Sequence, residues 1–216
     1  MSSKPPEENE CAHVLIVEGH SDLVFYSALL RHLGRLKGVY FKLLNGKSNI
    51  LSRGLLSDYL TPKRLAEKSS IGILLDADHN PAGTAQSVAG HLKAITGSDV
   101  SEGQWQETAG FARLGFFVAP DAATQGEIET LVWTSFPDSD RNTAMKAAVT
   151  DYLARMEALE WKPQRPGDKA RIGAYLAAAY DEDPRLGPGA REKKFDFDAP
   201  GFARLRAFLE ALPINP

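Results

Sequence analysis

The chain's 216 residues, 43% of them hydrophobic, suit one well-packed domain or a domain with a small appendage. A net charge of −3 and a pI near 6.0 exclude nucleic-acid binding by bulk positive charge. Such contact needs a local basic patch, a metal ion or a partner subunit. The single cysteine, Cys11, excludes a disulfide framework and a cysteine-rich zinc site. No apolar run approaches the roughly 18 residues that cross a bilayer. The opening MSSKPPEENE has no apolar stretch of the signal-peptide kind. The expectation is a cytoplasmic protein without membrane contact.

In chain order, residues 1–11 are polar and rich in Pro and Glu, and predict a disordered tail. HVLIV (13–17) is a β-branched run that predicts a buried strand ending at Glu18-Gly19. Ser21 is placed to cap the helix predicted for DLVFYSALLRHLGRL. VYFKLL (39–44) predicts a second strand closed by Asn45-Gly46. NILSRGLLSDYL and PKRLAEK read as helix, IGILL (71–75) as the third strand, TAQSVAGHLKAIT as helix and ARLGFFVAP (112–120) as the fourth strand. Helical spacing returns in GEIETLVWTSF, NTAMKAAVTDYLARMEAL and DKARIGAYLAAAY. The stretch 181–201, rich in Pro, Gly and charge, reads as a loop before a closing helix in FARLRAFLEAL. Short apolar strands alternating with helices predict an α/β fold with a mainly parallel sheet covered on both faces. Ligands in such sheets bind beyond the carboxyl ends of the strands, where strand order reverses.

Those ends carry acid. The first strand exits into Glu18-Gly19-His20-Ser21-Asp22, the third into Asp76-Ala77-Asp78 and the fourth into Pro120-Asp121. A single Asp after a strand is usually a turn former or a helix cap. Asp-x-Asp says more, because residues i and i+2 of extended backbone face the same side. Parallel pairing brings the exits together, and converging carboxylates repel one another unless a cation lies between them. An oxygen-only ligand set points to Mg²⁺ or Mn²⁺.

VEGHSD together with LLDADHN resembles the Toprim domain of primases, topoisomerases, recombination mediators and overcoming-lysogenization-defect (OLD) nucleases. The family pattern falls here on Glu18, Gly19 and Asp22, then on Asp76 and Asp78, and the resemblance covers about residues 12–135. The later segments APDAATQGEIETLV, DKARIGAYLAA and FDFDAPGFARLRAFLEAL are similar to the small bacterial Toprim proteins related to OLD nucleases. The resemblance implies a Rossmann-like Toprim core over residues 12–136 and a helical C-terminal extension over 137–216 that packs on it. It implies a nuclease with Glu18, Asp76 and Asp78 on Mg²⁺ or Mn²⁺, Glu129 bridging to or binding a second ion, and Lys169 facing the phosphate. Asp22, Gly19 and Asp121 would support these from behind. It further implies nucleic acid as substrate, DNA rather than RNA, an ATPase partner subunit, and a role in DNA repair or anti-phage defence. No Gly-x4-Gly-Lys-Ser/Thr is present for the chain to be its own ATPase.

The supporting residues also have plain readings. Glu129 opens a helix, where the dipole favours an acid in any case. Lys169 sits in a first turn, where a cation is mildly disfavoured, and this favours a functional reading. His20 and His79 read as solvated loop residues. NGKSN (45–49) lacks phosphate-loop spacing and reads as a turn. REKKF (191–195) and KPQRPGDKAR (162–171) read as solvated basic loops, the second able to guide a nucleic-acid backbone if Lys169 is functional. Two other functions compete. One is a non-catalytic Toprim module that binds nucleic acid or a partner. The other is a haloacid-dehalogenase-type phosphatase, but there the Asp pair sits on the first strand with Thr or Val two residues later, and here that residue is Asn80.

Overall fold

The computed structural model describes residues 6–51, 53–160, 167–179 and 183–214. Its frame is a five-stranded sheet in the order β2-β1-β3-β5-β4. The strands are β1 (His13–Val17), β2 (Val39–Leu43), β3 (Ser70–Asp76), β4 (Trp105–Thr108) and β5 (Phe111–Ala119). Pairings β1 with β2, β1 with β3 and β3 with β5 are parallel, with Ile16 opposite Ile73 and Asp76 opposite Ala119. The order reverses between β1 and β3, so a crevice opens beyond their carboxyl ends.

Alternation along the strands divides the core in two. Leu15, Val17, Leu74 and Phe117 pack on one face, with α1 (His20–His32), α6 (Ile128–Ser135), α8 (Asp168–Ala179), α9 (Leu186–Arg191) and α10 (Ala203–Glu210). Val14, Ile16, Ile73 and Phe116 pack on the other. There they meet α2 (Lys47–Leu51), α3 (Arg53–Tyr59), α4 (Pro62–Glu67) and α5 (Pro81–Thr96). The helix α7 (Asp140–Ala158) buries only Val149 fully. The C-terminal helices thus share one apolar cluster with the sheet. Among the described residues no helix is long and apolar enough to cross a membrane.

Four features differ from the sequence reading. First, residues 6–11, expected as free tail, form a 3-10 turn at Glu8–Glu10 docked on α3 and α4. The Glu8 carboxylate accepts hydrogen bonds from the Tyr59 hydroxyl at 2.9 Å and from Arg64 Nε at 2.8 Å. The rest of the predicted tail, residues 1–5, lies outside the described residues, as does the basic stretch 162–166. Second, β4 is an extra strand, antiparallel to β5. It is four residues long and half exposed, too short for periodicity to show. Its Trp105 stacks on Phe208 at 4.9 Å and donates its indole N–H to the Phe208 carbonyl at 2.8 Å, which seats α10.

Third, α9 interrupts the predicted loop. Its Pro188 lies in the first turn, where the missing N–H costs nothing. Gly187 lets it touch α1, since a Cβ there would stand 2.8 Å from the Ser21 carbonyl oxygen. Fourth, α1 starts at His20 with Gly19 as its cap. Ser21 lies inside the helix instead, and its hydroxyl accepts from the Gly187 N–H at 3.3 Å.

Candidate functional site

Asp76 is the last residue of β3 and faces the crevice at the strand-order reversal. Its backbone N–H donates to Glu18 Oε1 at 3.0 Å, so the acid leaving β1 is tied to the end of β3. Its carboxylate Oδ1 accepts from the Ile128 N–H at 2.9 Å, at the first turn of α6. That N–H has no partner within the helix, and an acid there is favoured by the dipole. Glu127, in extended backbone, is the cap of α6, and Glu129 is its second residue. Asp76, Glu127 and Glu129 each offer a carboxylate oxygen, and the three oxygens lie within 4.8 Å of one another.

Lys169, in the first turn of α8, brings an ammonium group to this cluster. It is hydrogen-bonded to Glu127 Oε2, and its Nζ is 4.0 Å from Asp76 Oδ2. Burial alone would lower its pKa, but the charges of Glu129, Glu127 and Asp76 outweigh that and raise it. A cation that is unfavourable at a helix start is held there by carboxylates.

The pKa values of the acids rise as well, but there burial is the cause and the neutral form is favoured. Burial pushes Asp76 well above the usual carboxylate range, and the charges of Glu18, Asp22 and Glu129 push the same way. Burial lifts Glu129 to about 7 although Lys169 pulls it down. Glu18 and Asp22 are also raised, by burial first. Glu129 is 7% exposed, and its Oε2 is a buried oxygen without a hydrogen-bond partner. Buried carboxylate oxygens are normally satisfied. Asp22, Asp76, Glu127 and Glu129 interact with the Lys169 ammonium group, Glu18 interacts with Lys47, and Glu129 Oε2 is a buried oxygen without a partner. The all-oxygen donor set with an unpartnered oxygen fits a hard divalent cation such as Mg²⁺ or Mn²⁺.

The other predicted residues fall around this centre. Gly19 and Asp22 close the first turn of α1, the Gly19 N–H donating to Asp22 Oδ2 at 2.9 Å. Asp121 bends the loop after β5, accepting from the Ala123 and Thr124 N–H groups at 2.8 and 2.7 Å. These bonds outweigh burial and lower its pKa. Asp78 requires a correction. Its φ is +53°, so the chain after Asp76 is bent and the rule that i and i+2 share a side does not apply. Its backbone forms an antiparallel bridge with Gly126, N–H to carbonyl at 2.6 Å and back at 2.8 Å. Its half-exposed carboxylate takes Lys47 Nζ at 2.9 Å and stands outside the group of three acids. Glu18, also expected as a metal ligand, stands outside that group too, its Oε1 accepting from the Asp76 N–H. Gly126 has φ +138°, and a Cβ there would come within 2.4 Å of Thr130 Oγ1.

Sequence reading missed Glu127 and Lys47. Glu127 has a signal, because GEIET offers acids two residues apart and only the second was taken. Lys47 has none, because it lies in a stretch that reads as a turn. An open groove of about 470 Å³ adjoins the cluster, bordered by Asp78, His79, Gln125, Glu127, Thr130 and Lys169.

A family model described as "Protein of unknown function (DUF3226)" matches residues 12–213. No curated protein matches the sequence. A similar solved structure is the C-terminal region of the OLD protein of Xanthomonas campestris pv. campestris, 16% identical, with a TM-score of 0.40. The similarity covers 93% of this chain and 85% of that one.

Proposed function

The chain belongs to the DUF3226 family, and we propose that it hydrolyses phosphodiester bonds of nucleic acid in a reaction that depends on Mg²⁺ or Mn²⁺. One observation carries this reading. Asp76, Glu127 and Glu129 converge within 4.8 Å at the strand-order reversal, and Glu129 Oε2 has no partner. Folding leaves that site short of positive charge, and a divalent cation is the simplest way to complete it.

In the proposed site Asp76, Glu127 and Glu129 hold the ion. The bound ion would supply Lewis-acid stabilisation of a phosphoryl group and acidify water toward neutral pH. Glu18 fixes the end of β3 through the Asp76 N–H, and Asp22 fixes the loop carrying Glu18 through the Gly19 N–H. Lys169 borders the groove, where its charge stabilises the negative charge that grows on a phosphate in the transition state. Asp78 lines the same groove from the Lys47 side. DNA rather than RNA as substrate, and a separate ATPase subunit, follow from the motif resemblance. The net charge of −3 agrees with a partner supplying the basic binding surface.

The test is cleavage of supercoiled plasmid, single-stranded DNA and RNA in Mg²⁺, Mn²⁺ or EDTA by wild type and Asp76→Asn. The expected result is cleavage lost in EDTA and reduced at least about 100-fold in the variant, the upper end for residues that only support a ligand. Equal activity of the two proteins would refute the reading. A second reading is a non-catalytic binding module. It is favoured by Lys169, which already balances part of the acid through Glu127 and Asp76. Wild-type protein that neither cleaves nor binds Mn²⁺ would establish it in place of the first.

A further inference from the structure

The stretch NGKSN at 45–49 reads as a turn, yet it touches the acid-bearing exits of β1 and β3. Asn45 and Gly46 have φ of +54° and +115°, which swing the chain sharply after β2. The Asn49 amide donates to the Leu44 and Asn45 carbonyls at 2.8 and 3.0 Å and fixes that swing. The Gly46 N–H then donates to the Glu18 carbonyl at 2.9 Å, at the exit of β1. Lys47 reaches on to the exit of β3. Its Nζ donates to the Ala77 carbonyl at 3.0 Å and to Asp78 Oδ2 at 2.9 Å.

We infer that Lys47 is a positioning residue for the carboxylate centre, acting through Asp78 and Gly126 on Glu127. The inference rests on the metal-centre reading above. Asp78 sits at φ +53°, left-handed backbone that Asp tolerates better than most residues and that contacts on either side can hold in place. Lys47 holds it from two sides, gripping the carbonyl before the bend and the carboxylate at it. The two-way backbone bridge passes the position on to Gly126, and Glu127 is the next residue. Lys47 is not a loose surface partner, because its side chain is 17% exposed and one of its two acceptors is backbone. Nothing in this chain of contacts places Lys47 on the ion itself. Metal affinity is sensitive to such supporting contacts, because ligand atoms must be held to within a few tenths of an ångström.

The test is Mn²⁺ titration of the full chain as wild type, Lys47→Met, Asp78→Asn and the double variant, with melting curves in EDTA. Lys47→Met is expected to weaken Mn²⁺ binding by about 10- to 100-fold. The double variant should bind no more weakly than Lys47→Met alone, because both changes break one contact. A merely structural lysine would lower the melting temperature and leave this coupling at zero. Should Lys47→Met fail to fold, Asp78→Asn carries the test, since that half-exposed carboxylate loses only its charge. Wild-type affinity in the folded variants overturns the inference and leaves the metal centre standing. Unchanged Mn²⁺ affinity with weakened nucleic-acid binding overturns it in favour of a lysine that faces substrate. Absence of Mn²⁺ binding by wild type removes both.

Discussion

Two charged clusters in this molecule differ in how far their members satisfy one another. At the N-terminal dock Glu8 accepts from Tyr59 and Arg64, and the Lys68 ammonium donates to the Glu8 and Cys11 carbonyls. The Arg64 guanidinium also lies 4.1 Å from the centroid of the Tyr59 ring. The acid, the cations and the carbonyls complete each other. At the strand exits the balance fails. Asp22, Asp76, Glu127 and Glu129 share Lys169, Glu18 lies by Lys47, burial raises the pKa of Glu18, Asp22, Asp76 and Glu129, and Glu129 Oε2 has no partner. The first cluster is finished by folding. The second leaves a buried acid oxygen without a partner. Buried polar atoms are normally hydrogen-bonded, and an unpartnered acid oxygen among converging carboxylates marks that place as a candidate site.

The sharpest way to break the comparison is to satisfy the second cluster by mutation. Glu129→Gln removes a buried charge and keeps the shape. Its Mn²⁺ affinity should fall at least about 100-fold, beyond the loss expected for a supporting residue. Calorimetric titration checks this, and wild-type affinity would remove Glu129 from the ligand set.

A second contrast is in pH. Glu129 titrates near 4.5 when free and at about 7 in the fold. Between those values the folded state holds the proton and the unfolded state does not, so stability falls as pH rises through the window and then levels off. A rise from 4.5 to about 7 corresponds to about 3 kcal/mol. The raised groups Glu18, Asp22 and Asp76 act in the same direction. In EDTA the melting temperature should therefore drop from pH 5 to pH 8 by on the order of 5–10 °C. Glu129→Gln should flatten part of that slope, the remainder belonging to Glu18, Asp22 and Asp76, and added Mn²⁺ should reverse it at pH 8. A metal-free protein that is most stable at pH 8 would show that the cluster is not strained by its acids.

Much of this arrangement was legible in the residues. Buried parallel strands announce themselves as short apolar runs, so the ranges expected for β1, β3 and β5 lie within a residue or two of the strands themselves. Parallel exits then bring Glu18 to Asp76 by topology alone. What failed was local. Asp78 was read as extended, and one bent residue turned it toward Lys47. Glu127 was passed over because its role depends on Lys169, forty-two residues away in sequence. Lys47 reads as part of a turn, because a turn signal does not say what the turn lies against. The strand β4 and the helix α9 are short, and their stability comes from Trp105 on Phe208 and from Gly187 against α1. Contacts of that kind are not local properties of the sequence.

The smallest expected effect tests the first cluster. Arg64→Ala removes one charge-assisted hydrogen bond to Glu8 and the stacking on Tyr59, in a region where the Arg64 side chain is 30% exposed. Partial exposure keeps the loss to about 1–2 kcal/mol, or roughly 2–8 °C in melting temperature. Because that cluster is saturated and lies away from the strand exits, Mn²⁺ affinity should be unchanged. The pair of measurements is what separates the two kinds of cluster. Arg64→Ala should lower stability and spare the ion, whereas Glu129→Gln should raise metal-free stability at pH 8 and lose the ion. Should Arg64→Ala also weaken Mn²⁺ binding, the N-terminal dock would be part of the site's support, and saturation would no longer distinguish a structural cluster from a functional one.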